Sequence, residues 1–213
     1  FFLFFFNSIY LKIALRNKIT SIPNNRTLHH GNKPTGGGVV FSVVFCLTSL
    51  YFWLTGLLIN EIFIVFGIGG LLATLFGFLD DLFDIAAIKK LVFHIFLSVW
   101  SIYWLELSIF SDTEWLPSFI SIGLSVLFLV WVINAYNFID GIDGLAASGA
   151  IYISGALIIV MILMNVNSEL TLLYFALMAC ALAFMVFNWP PAKVFMGDSG
   201  TFFISSLIAS IFN

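Results

Sequence analysis

The sequence predicts an all-α, polytopic bundle of about eight transmembrane helices, the first and last of them truncated, and three observations predict it. Of 213 residues, 62% are hydrophobic and only 9% charged, too little polar surface to cover a water-soluble globule. Apolar runs close to the ~20 residues that a bilayer core demands recur along the chain. Every Lys and Arg falls in alternate connectors between those runs, the asymmetry by which membrane proteins set their orientation.

The elements follow in order. A cut first helix is expected from Phe1 to about Leu15, because the run lacks the basic start and small-residue cleavage site of a signal peptide. Complete spans are expected at 39–59, 62–79, 91–107, 116–133, 145–164 and 170–187, and a final partial one from Gly200 to Asn213. Cys46 and Cys180 lie inside apolar runs and read as packing residues, with neither a disulfide framework nor a CxxC metal pattern. Eight crossings put 12–38, 80–90, 134–144 and 188–200 on one side. Lys12, Arg16, Lys18, Arg26, Lys33, Lys89, Lys90 and Lys193 all lie there, whereas the opposite connectors carry Glu61, Glu106, Asp112, Glu114 and Glu169 and no base. The positive-inside rule makes the basic side cytoplasmic. With a net charge of -3 and no dense basic cluster, nucleic acid is not an expected partner.

Four unusual polar strings all lie on that basic side. The first is a loop from Pro23 that ends in Pro34-Thr35-Gly36-Gly37-Gly38 just before a helix; such glycines let backbone N–H groups approach an anion closely. The plainer alternative is a flexible basic loop that only sets topology. The second is Phe78-Leu79-Asp80-Asp81-Leu82-Phe83-Asp84. On a helix Asp80 and Asp84 share a face, so the carboxylates repel unless a cation neutralises them. Mg²⁺ commonly takes one or two carboxylates plus substrate phosphates; the alternative is a solvated helix end with Lys89 and Lys90 nearby.

The third string runs from Asn134 through Asn137, Asp140-Gly141 and Asp143-Gly144. Its Asn side chains offer both donors and acceptors to a nucleobase edge or a sugar amide, although Asn, Asp and Gly are also ordinary turn residues. The fourth runs from Asn188 to Gly200. There Lys193 suits a phosphate as a point charge, Phe195 offers a face for base stacking, and Asp198 with Ser199 can cap the last helix. Helix N-termini, glycines, bases and the aspartates 80, 81, 84, 140, 143 and 198 together suit a metal-bound diphosphate better than a bare cation or a neutral solute.

In this order and spacing, PTGGG, FLDD, NAYNFIDGIDGLA and PAKVFMGDSG resemble the polyprenyl-phosphate N-acetylhexosamine-1-phosphate transferases. That family includes the bacterial translocase that makes lipid I and the initiators of O-antigen and enterobacterial common antigen. KVFMGD and the Pro-Asn-x-Arg loop resemble the O-antigen type more closely. The resemblance implies transfer of a sugar-1-phosphate from a UDP-N-acetylhexosamine to a polyprenyl phosphate in the plasma membrane, releasing UMP and requiring Mg²⁺ or Mn²⁺. It further implies that Asp198 holds the metal, that Asp80 and Asp81 form an acidic pair near the acceptor phosphate and the metal, and that Asn134, Asn137, Asp140, Asp143, Asn188 and Phe195 contact nucleoside and sugar. Lys33, Lys193, Gly36 and Gly37 would lie toward the phosphates.

Two departures stand out. Ser21 takes a place where the family often has an acidic residue, and family members continue for further helices to a late His-rich motif. The chain is therefore expected to be the N-terminal and central part of a longer transferase. His29 matches a first-loop His and neither it nor His30 is that late motif, while His94 reads as a hydrogen-bonded packing residue. Oligomeric state stays open, a homodimer included. An ion-coupled transporter is the alternative from another class, since intramembrane carboxylates often mark cation paths, and a non-catalytic nucleotide-sugar binder is a third reading.

Overall fold

A computed structural model describes residues 2–17, 19–21, 33–106, 117–165 and 169–211. It is an all-α helical bundle: α1 Phe2–Arg16, α2 Gly38–Leu54, α3 Asn60–Phe83, α4 Ala87–Leu105, α5 Ser118–Ile139, α6 Leu145–Leu163, α7 Glu169–Asn188 and α8 Gly197–Ile211. Five of these, α3 to α7, are long and apolar enough to cross a membrane, and the outward faces carry large apolar side chains such as Leu127, Trp131 and Leu163. The chain is a multi-pass membrane protein. One expected span is shorter than anticipated: α2 has 17 residues and stops at Leu54, because Thr55 and the positive-φ Gly56 turn the chain before Leu57.

Small departures from α-helix shape the rest. Within α3, Phe63–Gly69 winds as π-helix, and the Trp100 indole N–H donates to the Ile64 carbonyl at 3.4 Å. Two-residue strands β1 Thr20–Ser21 and β2 Lys33–Pro34 pair antiparallel, Thr20 opposite Pro34. The loop 22–32, with Arg26, His29 and His30, lies outside the described residues, as do Asp112 and Glu114.

The centre of the bundle is α8, whose residues from Ser199 to Ile208 are buried. A helix buried all round needs partners that approach closely, and small residues supply the room. A methyl group added at Gly77 would stand 2.3 Å from the Asp198 carbonyl oxygen, and one at Gly70 would stand 2.9 Å from the Phe203 ring. The rings of Phe41 and Phe45 pack edge-on against Phe203 at 5.7 and 5.2 Å. On the other side Phe202 joins Ala73, Leu97, Leu129 and Ile133 in a second core that ties α8 to α3, α4 and α5. Cys46 and Cys180 are both free and buried in the larger core. The Ile59 N–H donates to the Glu169 carboxylate at 2.7 Å, bringing together two connectors of the end opposite the four strings.

Candidate active site

All four strings meet at one end of the bundle. The first and fourth pair backbone to backbone: Phe195 N donates to Pro34 O at 2.8 Å, Gly37 N to Phe195 O at 3.0 Å and Gly38 N to Met196 O at 2.8 Å. Only glycine allows this approach, since a Cβ on Gly38 would sit 2.3 Å from the Gly200 Cα. The N–H groups of Gly37 and Gly38, expected to face an anion, are thus bonded to carbonyls, and the glycines bring backbones together instead. Gly36, at φ +77, packs beside the Tyr10 hydroxyl and the Asp81 carboxylate.

Asp81, at the end of α3, accepts from the N–H groups of Asp198 and Ser199 at 2.9 and 3.1 Å. It therefore caps α8 from another helix, satisfying two donors at the positive end of its dipole. The expected cap from Asp198 and Ser199 is corrected by that arrangement: both residues lie within the first turn of α8 and act there as donors. The Thr35 hydroxyl reaches the same Asp81 carboxylate at 3.5 Å, and Tyr10 donates to the Thr35 carbonyl at 2.8 Å. Asp140, just past α5, accepts from Gly197 N at 3.0 Å.

Asp80 is buried, with 1% of its side chain exposed, and forms an ion pair with Lys90 of α4. Its other oxygen accepts from Ile85 N at 2.7 Å. The same ammonium lies 3.3 Å from an Asp198 oxygen. The cation that the crowded carboxylates require is thus supplied in part by the protein, from a lysine that the sequence reading left in a solvated helix end. Asp84 corrects a second expectation: α3 ends at Phe83, so Asp84 takes a left-handed conformation and is exposed rather than sharing a helix face with Asp80.

Toward the third string, Asp143 pairs with Lys33 at 3.1 Å and accepts from Ala192 N at 2.9 Å. Lys33 also lies 5.1 Å over the Phe195 ring. Phe195 is only 5% exposed, so the free stacking face expected of it is covered in this conformation. Asn188, 1% exposed, accepts from Gly144 N at 3.0 Å and donates to Val194 O at 3.1 Å, locking the third string to the fourth. Asn137 accepts from the Thr201 hydroxyl at 2.6 Å. Asn134 donates to Val130 O at 2.7 Å and lies 3.2 Å from His94 Nδ1, and His94 is buried against Phe202. Lys193 is exposed.

Comparison with known families decides the assignment: the model described as glycosyl transferase family 4 matches residues 63–212. The chain belongs to glycosyl transferase family 4. Among curated relatives, a phospho-N-acetylmuramoyl-pentapeptide-transferase of Petrotoga mobilis is 30% identical over 195 residues, covering 84% of this chain and 59% of that protein. A probable undecaprenyl-phosphate N-acetylglucosaminyl 1-phosphate transferase of Bacillus subtilis is 29% identical over 204 residues, 93% of this chain and 56% of that one. A phospho-N-acetylmuramoyl-pentapeptide-transferase of Chlamydia caviae is 32% identical over 211 residues, with 84% and 59% covered. The chain spans about three fifths of the length of these relatives.

Within this family 4 chain, the donor set fits a hard divalent metal. Among the described residues no three His, Cys, Asp or Glu side chains form a metal-binding group; Asp80 and Asp198 are the carboxylates that could together hold an ion whose shell is completed by phosphate oxygens. Burial first, and then the neighbouring Asp80 and Asp81 carboxylates, push the Asp198 carboxyl up to about 8. Burial and the Asp81 charge likewise raise Asp140 well above the ordinary carboxylate range, against the lowering effect of the Gly197 N–H. Asp80 shifts the other way: its burial is outweighed by hydrogen bonds with Asp198, Lys90 and the Ile85 N–H and by the Lys90 charge, which hold it below the ordinary carboxylate range.

Proposed function

We propose that the chain is the N-terminal and central part of a longer transferase. It would move a sugar-1-phosphate from a UDP-N-acetylhexosamine to polyprenyl phosphate on the cytoplasmic face of the plasma membrane. The convergence of Asp80, Asp81, Asp140, Asp198 and Lys90 at one bundle end, in a chain of this family, carries the reading. The resemblance of its KVFMGD string points to the O-antigen type of initiator, an early step in envelope polysaccharide synthesis.

An oxygen of the lipid phosphate attacks the phosphorus that bears the sugar. The bond to UMP breaks as the new diphosphate bond forms. A phosphate nucleophile is already ionised near neutral pH, so the site's work is positioning and charge compensation. Asp198, with Asp80, would hold Mg²⁺ or Mn²⁺, which when bound neutralises diphosphate charge. Lys90 is the residue nearest both carboxylates and would compensate charge on the reacting phosphates. Asp81 holds the first turn of α8, and with it Asp198, in place. Asp143 and Lys33 would present the face on which the nucleoside rests, with Asn188 joining the third string to the fourth behind it, and Lys193 and Asn137 would stand at its rim.

The test is UMP release from UDP-N-acetylhexosamines by the purified chain with undecaprenyl phosphate and Mg²⁺, and by a chain extended to the relatives' length. Metal-dependent release that Asp198→Asn abolishes is expected from the extended chain. Absence of release from the extended chain with every sugar tried would overturn the reading, and carboxylate-dependent ion flux would replace it with the transporter.

A further inference from the structure

His94 lies on α4 one helical turn past Lys90 and is 1% exposed. Its Nδ1 stands 3.2 Å from the Asn134 amide nitrogen on α5. That same nitrogen donates to the Val130 carbonyl at 2.7 Å, which fixes the NH₂ end of the amide toward both partners. Nδ1 therefore accepts, and the proton of the neutral ring is on Nε2. Nε2 is buried and has no partner among the described residues. An unpaired buried N–H is destabilising, and a residue that only filled space here would do so better without it.

The acceptor that suits this donor lies one turn toward the carboxylates. The Phe202 ring of α8 meets His94 edge-on at 4.6 Å and Phe76 of α3 at 6.3 Å, so the imidazole is level with Phe76. Asp80 follows Phe76 by four residues on the same face of α3. α3 ends and α4 begins at this end of the bundle, and side chains lean toward the N-terminus of their own helix. Asp80 therefore leans into the bundle and His94 leans out toward it. The charges of Lys90 and Asp80 both act on the imidazole.

In the resting arrangement the Lys90 ammonium fills the space between them, paired with Asp80 Oδ2 and 3.3 Å from an Asp198 oxygen. These two carboxylates are the ones that would hold a divalent ion, and a metal and an ammonium on the same oxygens repel one another. Once Lys90 gives way, Asp80 Oδ2 needs a new donor, because a ligating carboxylate is oriented by its outer hydrogen-bond partners.

We propose that His94 is a positioning residue: when metal and substrate phosphate draw Lys90 off, its Nε2–H becomes the donor that holds Asp80 Oδ2 in line with Asp198. The inference rests on the transferase reading.

Two measurements on the chain extended to the relatives' length test it. The first is a thermal-unfolding cycle without metal. His94→Asn keeps a polar atom near the Nδ1 position and drops the Nε2–H. Alone it should shift Tm by less than about 2 °C; added to Lys90→Met, where Asp80 has lost the ammonium, it should lower Tm by at least about 4 °C. The second is Mn²⁺ affinity in the presence of UDP, read from the free-ion signal in electron paramagnetic resonance. His94→Asn should weaken it by about tenfold or more, whereas His94→Gln, whose amide reaches the Nε2 position, should stay within about threefold of wild type. Equal losses in both variants, or an additive unfolding cycle, would overturn the inference. So would a His94→Asn chain that fails to fold with Lys90 in place, because the resting fold would then depend on the imidazole. UDP-dependent Mn²⁺ binding that ignores both variants would sink the role of His94 and spare the transferase; absence of Mn²⁺ and UDP binding in the wild-type extended chain would sink both.

Discussion

Lys90→Met removes the cation that Asp80 and Asp198 share while keeping much of the side-chain volume. Asp80 is then left with 1% of its side chain exposed, and with the Ile85 N–H and the Asp198 carboxyl as its remaining partners. Removing one member of a buried ion pair costs about 3–5 kcal/mol, because the other charge stays behind uncompensated. Lys90 itself is 24% exposed, so water partly reaches the gap and the lower end, about 3 kcal/mol, is expected. Asp80→Asn combined with Lys90→Met removes both charges and should return stability to within about 1 kcal/mol of wild type. The assay is equilibrium unfolding in detergent micelles, followed by tryptophan fluorescence, as a double-mutant cycle. A coupling of about 2 kcal/mol or more supports the arrangement. Lys90→Met within about 0.5 kcal/mol of wild type, or a double variant equal to the sum of the singles, would refute it. Millimolar Mg²⁺ should restore part of the loss in Lys90→Met if the carboxylates accept a divalent ion in place of the ammonium.

Two other perturbations follow from the same end of the bundle. Gly200→Ala places a Cβ 2.8 Å from the Gly38 Cα and 2.2 Å from the Met196 Cγ, so α2 and α8 must separate; loss of the monodisperse peak in size-exclusion chromatography is expected, and a variant as stable as wild type would disprove the backbone pairing. The pH dependence has a definite sign: Asp198 is held protonated in the fold up to about 8 against 3.8 unfolded, so the unfolded chain releases its proton first and stability of the metal-free protein falls as pH rises through that window. Its Tm should drop between about pH 5 and pH 8, Asp198→Asn should flatten the slope, and a Tm that climbs over that range would contradict the buried carboxylate.

The bundle was legible because bilayer physics writes it into hydropathy: runs of apolar residues, with every Lys and Arg in alternate connectors, leave few other solutions. Six internal spans each overlap a helix, with ends off by up to six residues: α5 runs on to Ile139 and takes in Asn134 and Asn137, and the error at α2 came from a local signal, Thr55-Gly56, that hydropathy averages over. That the four strings share one end also followed from counting crossings. What they do to one another did not. Asp81 reads as one of a pair of equivalent carboxylates, yet Asp80 takes a lysine and Asp81 takes two backbone donors, because α3 aims them at different helices. Lys90 was the residue missed, since its partner at Asp198 is 108 positions away and no spacing rule links them. The π-helical turn at Phe63–Gly69 has no sequence signature beyond its glycines.

The pairing of the first string with the fourth changes how variants at this end must be interpreted. Gly37, Gly38, Asp81, Asn188 and Gly200 hold the fold through contacts that would vanish on substitution, so an inactive variant at any of them is uninformative about ligand contact. Lys33 and Asp143 are only 21 and 22% exposed, and Asp143 also accepts from Ala192 N, so substitution at Asp143 moves stability as well. Lys193 is freer: its backbone N–H bonds Phe187 O while the side chain is exposed. At Lys193 stability and turnover separate, and a large loss of turnover there without a shift in Tm would report contact with the nucleotide or phosphate. Assigning ligand roles at this end therefore begins from its exposed lysine rather than from its glycines and buried aspartates.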